Sequence, residues 1–205
     1  GVEGIGEYGG TWFRVGLSNY DIGGNAAYIS GDLLVRWSPY GYPIVPHVAK
    51  NFNHSDDYRE WTFHLREGMK WSDGHPFTAE DILYWWEWDV NYFGGSFAPA
   101  AGGGVPEFMR VEGQLGNIVM VDPLTVKFVF PRSYPFFLER LVSNGSIPYK
   151  SPKHYMQRFH PELGDKELIE STMGKLGIGS PESLYRNRQD RLNPDHPRIW
   201  PWIYR

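Results

Sequence analysis

The stretch from Trp61 to Trp88, WTFHLREGMKWSDGHPFTAEDILYWWEW, constrains the fold more than any other part of the chain. Trp61, Phe63 and Leu65 alternate with Thr62, His64 and Arg66. A period of two puts three large apolar side chains on one sheet face and three polar ones on the other. Glu67-Gly68 closes this strand, and Met69-Lys70-Trp71 predicts a second, short one. Ser72-Asp73-Gly74 signals a turn, with Gly74 free to take positive φ. Thr78 suits an N-cap, and Thr78-x-x-Asp81 is a capping-box pattern with Asp in the place of Glu or Gln. Glu80 and Asp81 put negative charge in the first helical turn, where the macrodipole favours it. Ile82, Trp85, Trp86 and Val90 then recur at helical spacing as a bulky apolar stripe.

The 205 residues are 41% hydrophobic, enough to bury one substantial core and leave room for a second small lobe. A net charge of −4 without a basic patch argues against nucleic acid as a partner. There is no apolar run of about eighteen residues, so no transmembrane helix is expected. The chain starts at Gly1 rather than Met, as expected of a processed sequence. Cysteine is absent, which excludes disulfides, thiol catalysis and cysteine metal sites. Nine Trp and thirteen Tyr suit aromatic core packing, or else stacking platforms for sugar rings and aromatic peptide side chains.

Around the central stretch the chain alternates strands and helices. Thr11 to Leu17 reads as a strand, 18–25 as a polar loop, and Ala26 to Trp37 as a helix with Ile29, Leu33 and Trp37 on one face. Pro39 to Pro43 is a turn, Ile44 to Lys50 is extended, and Asn51 to Tyr58 is a polar loop. Asn91 to Gln114 is rich in Gly, Ala and Pro and reads as irregular. A hairpin follows, Ile118 to Val121 pairing with Thr125 to Phe130 across Asp122-Pro123-Leu124. Pro135 to Val142 is a short apolar helix, and Lys153 to Phe159 a helical turn or two. Asp165 to Leu176 predicts a helix with Leu168, Ile169, Met173 and Leu176 on one face, stopped by Gly177. From Gly179 to Arg205 the pattern is proline-rich and irregular, an expected extended surface segment.

W-x-F-x-L-R-x-G-x-x-W-S-D-G-x-P-x-T-A-E-D, read from Trp61 to Asp81, resembles the signature of the large extracytoplasmic solute-binding proteins of ABC importers, family 5. Tyr8-Gly9-Gly10-Thr11, Pro46-x-x-Ala49, the Asp122, Thr125, Val126, Phe128 set and Pro152-Lys153-His154-Tyr155 extend the resemblance over about residues 8 to 160. It implies a mixed α/β (α+β) fold of periplasmic-binding-protein type II kind. Residues 1–38 would begin the large ligand-facing lobe, 39–146 form a small inserted sheet-and-helix subdomain, and 147–205 return to an incomplete large lobe. Family members are far longer, so an N-terminal portion is implied. The implied partners are a peptide or oligosaccharide and a membrane permease. A monomer located in the periplasm or outside the cell, with or without a lipid anchor, is expected.

Chemistry-bearing patterns are sparse. Seven histidines are scattered with no H-E-x-x-H, and no metal or other cofactor is expected. Gly4-x-Gly6-x-x-Gly9 lacks the preceding strand a dinucleotide site needs, and no G-x-S-x-G elbow is present. Catalysis is therefore not expected. Polar groups on a loop at the end of a strand suit recognition instead. The loop carrying Ser18, Asn19, Tyr20, Asp21 and Asn25 is the candidate binding site, with hydrogen-bonding groups and one ring with a polar tip. The resemblance places the same loop at the ligand cleft. Arg66, Asp73 and Asp81 read as structural. Two other readings stand beside the receptor: a carbohydrate-binding or glycan-processing module, and a protein-interaction domain without a small ligand.

Overall fold

The computed structural model describes residues 33–93, 105–143, 151–190 and 193–199. Strands β1 (Val35–Ser38) and β2 (Gly41–Pro46) form a two-stranded hairpin. Strands β3 (Ala49–His54), β4 (Glu60–Leu65), β7 (Asn117–Asp122) and β8 (Thr125–Val129) form an antiparallel sheet in the order β3-β4-β8-β7. The alternation in β4 holds residue by residue: Trp61, Phe63 and Leu65 are buried, while Thr62 and His64 are only partly so. Opposite them, Phe63 pairs with Val126 and Trp61 with Phe128, so the apolar rows of neighbouring strands meet on one face.

Onto that face packs the predicted helix. Thr78 caps it as a true capping box: its side chain accepts from the Glu80 N–H, and the Asp81 carboxylate accepts from the Thr78 N–H. Helix α1 (Ala79–Tyr84) continues as a π-helical segment, Trp85–Asn91. Helix α2 (Phe137–Ser143) closes the core. Its first residue, Phe137, meets the rings of Trp61, Phe63, Phe108, Phe128, Phe130 and Tyr134 with centroids 4.9 to 6.4 Å apart.

The second core lies on the opposite side of α1. Helix α3 (Lys153–Met156), a 3-10 turn (Gln157–Phe159), α4 (Lys166–Leu176) and α5 (Pro181–Gln189) supply Tyr155, Met156, Phe159, Ile169, Leu184 and Tyr185, which pack with Tyr84. Helix α4 starts on the Asp165 side chain and stops on Gly177 at φ 66°, as its sequence predicts. Leu176, expected on its buried face, is 46% exposed.

Several other expectations are corrected. Residues 26–32 of the predicted helix Ala26 to Trp37 lie outside the described residues, and Val35 to Trp37 are strand, paired with Pro46 to Ile44. Only the partner beyond the Pro39-Tyr40 turn decides between strand and helix there. The polar "loop" from Asn51 contains most of β3; an edge strand whose outer face meets water needs no apolar alternation, and Phe52 packs toward the core after the buried Ala49. Met69 to Trp71 forms no strand, only a bridge between Lys70 and Pro76. Within 105–115 there is a 3-10 turn (Glu107–Met109) that buries Phe108 and Met109, followed by the tiny hairpin β5 (Arg110–Val111) and β6 (Gln114–Leu115). The segment after Gly179 is not irregular throughout: Ser180 caps α5 and Pro181 sits in its first turn. Nor is 193–199 a surface strip, since Asn193, His196 and Arg198 are buried. The Arg198 guanidinium is wrapped by the carbonyls of Asn193 and His196, and its backbone bonds Ser72 in both directions.

Replacing Phe137 by Ala removes the ring at the centre of the first core. Urea denaturation is expected to show a loss of ~3–5 kcal/mol, while Val121→Thr at a position 57% exposed should change stability by less than ~0.5 kcal/mol.

Candidate functional site

The candidate residues Ser18, Asn19, Tyr20, Asp21 and Asn25 lie outside the described residues. Besides the buried Asn193, His196 and Arg198, four gatherings of polar side chains in the described fold can be followed to their partners.

The first is Asp81. Its Oδ2 accepts from the Thr78 N–H at 3.0 Å and from the Trp71 indole at 3.3 Å, and its Oδ1 from the Lys153 N–H at 2.9 Å. Burial pushes its pKa up, against the pull of these donors. One carboxylate thus ties the signature turn, the helix cap and the start of α3 together. The second is Asp73, on the turn. Burial raises its carboxyl, but the His154 ring at 2.7 Å and the His75 N–H hold it below the usual carboxylate range. His154 in turn stacks on His75 with centroids 3.9 Å apart. With the Arg66 Nε–H donating to the His47 carbonyl at 3.2 Å, all three signature residues read as structural are engaged in internal bonds.

The third is Asp89 in the π-helical segment, fully buried. It accepts from the hydroxyls of Ser151 and Tyr185 and from the Gln189 amide at 2.8 Å. Tyr185 also meets the Tyr84 hydroxyl at 3.1 Å. Burial first, and the Asp89 carboxylate second, push the Tyr185 phenol well above its ordinary pKa. The sequence offered no signal for this cluster, because its bonded partners are 38 to 101 residues apart. The fourth is an open depression of about 290 Å3 on the outer face of the sheet, lined by Lys50, His64, Glu67 and Thr125 among others. His64 there bonds Thr125 at 3.2 Å and Asn53 at 3.4 Å, as a cross-strand link on the polar face.

No group of three or more His, Asp or Glu side chains with metal-binding geometry occurs among the described residues. Ser151 is fully buried, its hydroxyl donating to the Asp89 carboxylate and accepting from the Gln189 amide. These clusters are fastenings between elements. They stand where a scaffold needs its buried donors and acceptors matched.

The sequence model for bacterial extracellular solute-binding proteins, family 5 Middle, matches residues 43–173. The chain belongs to this family. The match begins in β2 and ends inside α4, so it takes in the four-stranded sheet, the capped helix and most of the first core, but not Leu184 and Tyr185 of the second. This family 5 chain is 33% identical over 130 residues to a periplasmic alpha-galactoside-binding protein of Rhizobium meliloti strain 1021, covering 63% of this chain and 18% of that protein. It is 31% identical over 161 residues to a dipeptide-binding protein of Escherichia coli K12, covering 72% of this chain and 28% of the relative. The solved structure of an oligopeptide-binding protein, OppA, superposes with a TM-score of 0.79 at 31% identity, over 98% of this chain and 30% of that one. The expected family and the mixed α/β fold of type II binding proteins are both borne out. The relatives are named as binding proteins, and the chain spans less than a third of the length of each of these three. Among the described residues, no helix is long and apolar enough to cross a membrane.

Asp81→Ala would strip the acceptor from three N–H groups at once. Chemical denaturation is expected to show a loss of ~3 kcal/mol or more, with Asp81→Asn retaining part of it, because an amide oxygen still accepts.

Proposed function

We propose that this chain is part of the substrate-binding component of an ABC importer, which captures a peptide or an oligosaccharide outside the cytoplasmic membrane and delivers it to a membrane permease. The observation that carries this reading is the family match across residues 43–173. The commitment of Asp81 and Asp89 to internal bonds supports it, since neither is left to act on a substrate. In this reading the chain does no catalysis. Ligand capture is a two-lobe closure, a hinge motion that buries the ligand and presents a new surface to the permease. Residues 1–38 begin the ligand-facing lobe, 39–146 form the small subdomain beside it, and 147–205 lead back.

The strand-end loop bearing Ser18, Asn19, Tyr20, Asp21 and Asn25 contributes to the ligand wall. Its amides, carboxylate and phenol suit both a peptide backbone and sugar hydroxyls. Relatives named for an alpha-galactoside and for a dipeptide keep both cargoes within the reading. The receptor acts as a monomer in the periplasm or at the outer face of the membrane, where a lipid anchor would hold it.

Thermal melting of the receptor carrying this chain tests the proposal, against panels of short peptides and of α-galactosides. A cognate ligand at a hundred times its Kd should stabilise it by about 2.7 kcal/mol. Asp21→Ala or Tyr20→Ala should weaken that ligand about tenfold, or ~1.4 kcal/mol. Flat melting curves across both panels would favour a protein-interaction domain, and release of new reducing ends from oligosaccharides would favour a glycan-processing module.

A further inference from the structure

His160 ends the 3-10 turn after α3 and is fully buried. Four aromatic rings enclose its imidazole: Trp88 at 5.1 Å and Tyr92 at 4.6 Å from the π-helical side, Phe93 at 5.5 Å, and Tyr185 of α5 at 5.4 Å. The ring therefore sits on the seam between the central helix and the helical layer. Its hydrogen bonding fixes its protonation. The Glu162 backbone N–H donates to Nδ1 at 3.1 Å, so Nδ1 is an acceptor and the neutral ring carries its proton on Nε2. Nε2 is buried without a partner of good hydrogen-bond geometry.

A second proton could only go to Nδ1. There it would face the Glu162 N–H, donor against donor, inside an aromatic enclosure that water does not reach. Charging the ring must break the Glu162 bond and open the loop His160 to Asp165, which is tightly folded: the Gly164 N–H bonds the His160 carbonyl at 2.8 Å, and a Cβ on Gly164 would fall 2.7 Å from that same oxygen. The loop feeds directly into α4 through its cap, Asp165.

We propose that His160 is an acid-operated clasp, which holds α4 and α5 against the π-helical segment while neutral and releases them when protonated. The titratable neighbours do not remove the conflict. On the central helix these are Tyr92, whose hydroxyl donates to Glu162 at 3.1 Å, and Asp89, which is occupied by Ser151, Tyr185 and Gln189. On α5 they are Tyr185 and, farther out beside Tyr92, Glu182. On its own loop it is Glu162, and α4 brings the apolar Ile169 against Gly164. Burial lowers the His160 pKa, and the Trp88 backbone and the Glu162 charge only partly oppose it. The unfolded chain then binds the proton more readily than the folded one. The stabilising contribution is complete above the free histidine value near ~6.5 and is lost as pH falls below it. His47, on the other core, is lowered in the same direction, chiefly by burial, so only a local readout isolates the clasp.

Hydrogen exchange of the chain, corrected for intrinsic rates, supplies that readout at pH 7.5 and 5.0. Protection of amides in 157–189 should fall several-fold on acidification while that of β4 and β8 holds. His160→Asn keeps an acceptor near the Nδ1 position and cannot titrate, so its local protection should not depend on pH. Should that variant fail to fold, an NMR titration of the wild-type His160 ring decides alone. A ring that titrates at or above the free histidine value overturns the clasp, as does local protection that ignores pH or falls equally in His160→Asn.

Discussion

The described structure depends on a helix that is buried from two sides. Between Ala79 and Val90, only Glu80 and Glu87 are exposed. Ile82, Trp85, Trp86 and Val90 face the sheet, while Tyr84 faces the helical layer and Asp89 bonds side chains of it. A regular amphipathic helix shows one apolar stripe, so a second buried side needs polar groups matched inside the protein. The two aspartates do this. Asp81 anchors the N-terminal end to the signature turn and to Lys153, and Asp89 anchors the π-helical end to Ser151, Tyr185 and Gln189. The π-helical segment, Trp85–Asn91, begins at the bulky run Trp85-Trp86-Glu87-Trp88. Trp86 points its indole N–H to Asn117 on β7 at 2.7 Å, while Trp88 lies against His160.

This arrangement explains why a dense signature can hold little chemistry. Trp71 and Asp81 are bonded to each other, the Ser72 backbone is bonded to that of Arg198, and Asp73 to His154. Ser72, Asp73, Glu80 and Asp81 are also tied to residues far along the chain, Arg198, His154 and Lys153. A sequence can preserve such residues to keep a small subdomain rigid beside a cleft, and in the receptor reading that rigidity is what a closing lobe works against.

Elements with self-contained signals were legible. Strand β4, the Thr78 cap, the β7–β8 hairpin and α4 between Asp165 and Gly177 each carry their instructions within a dozen residues. Errors cluster where a partner decides. Val35 to Trp37 fit a helical spacing and became strand, because β2 lies across the turn. The polar run from Asn51 became an edge strand through pairing with β4. Helix α5 does carry a local start signal, Ser180-Pro181-Glu182, set among prolines that by themselves favour irregular chain. Of the polar clusters, Asp81 is marked by its capping position, and Asp89 has nothing local to mark it. The candidate binding loop rests on its composition and on family resemblance.

By itself, then, the sequence determined the local grammar: a period of two, a capped start, a glycine stop, and the family that uses them in this order. What only tertiary structure decided was the second burial of the central helix. Ser151, His160, Tyr185 and Arg198 acquire meaning when the chain returns across that helix. The reason is physical. Periodicity and capping act between neighbours a few residues apart, whereas the satisfaction of a buried carboxylate such as that of Asp89 depends on groups that only folding brings within three ångströms or so.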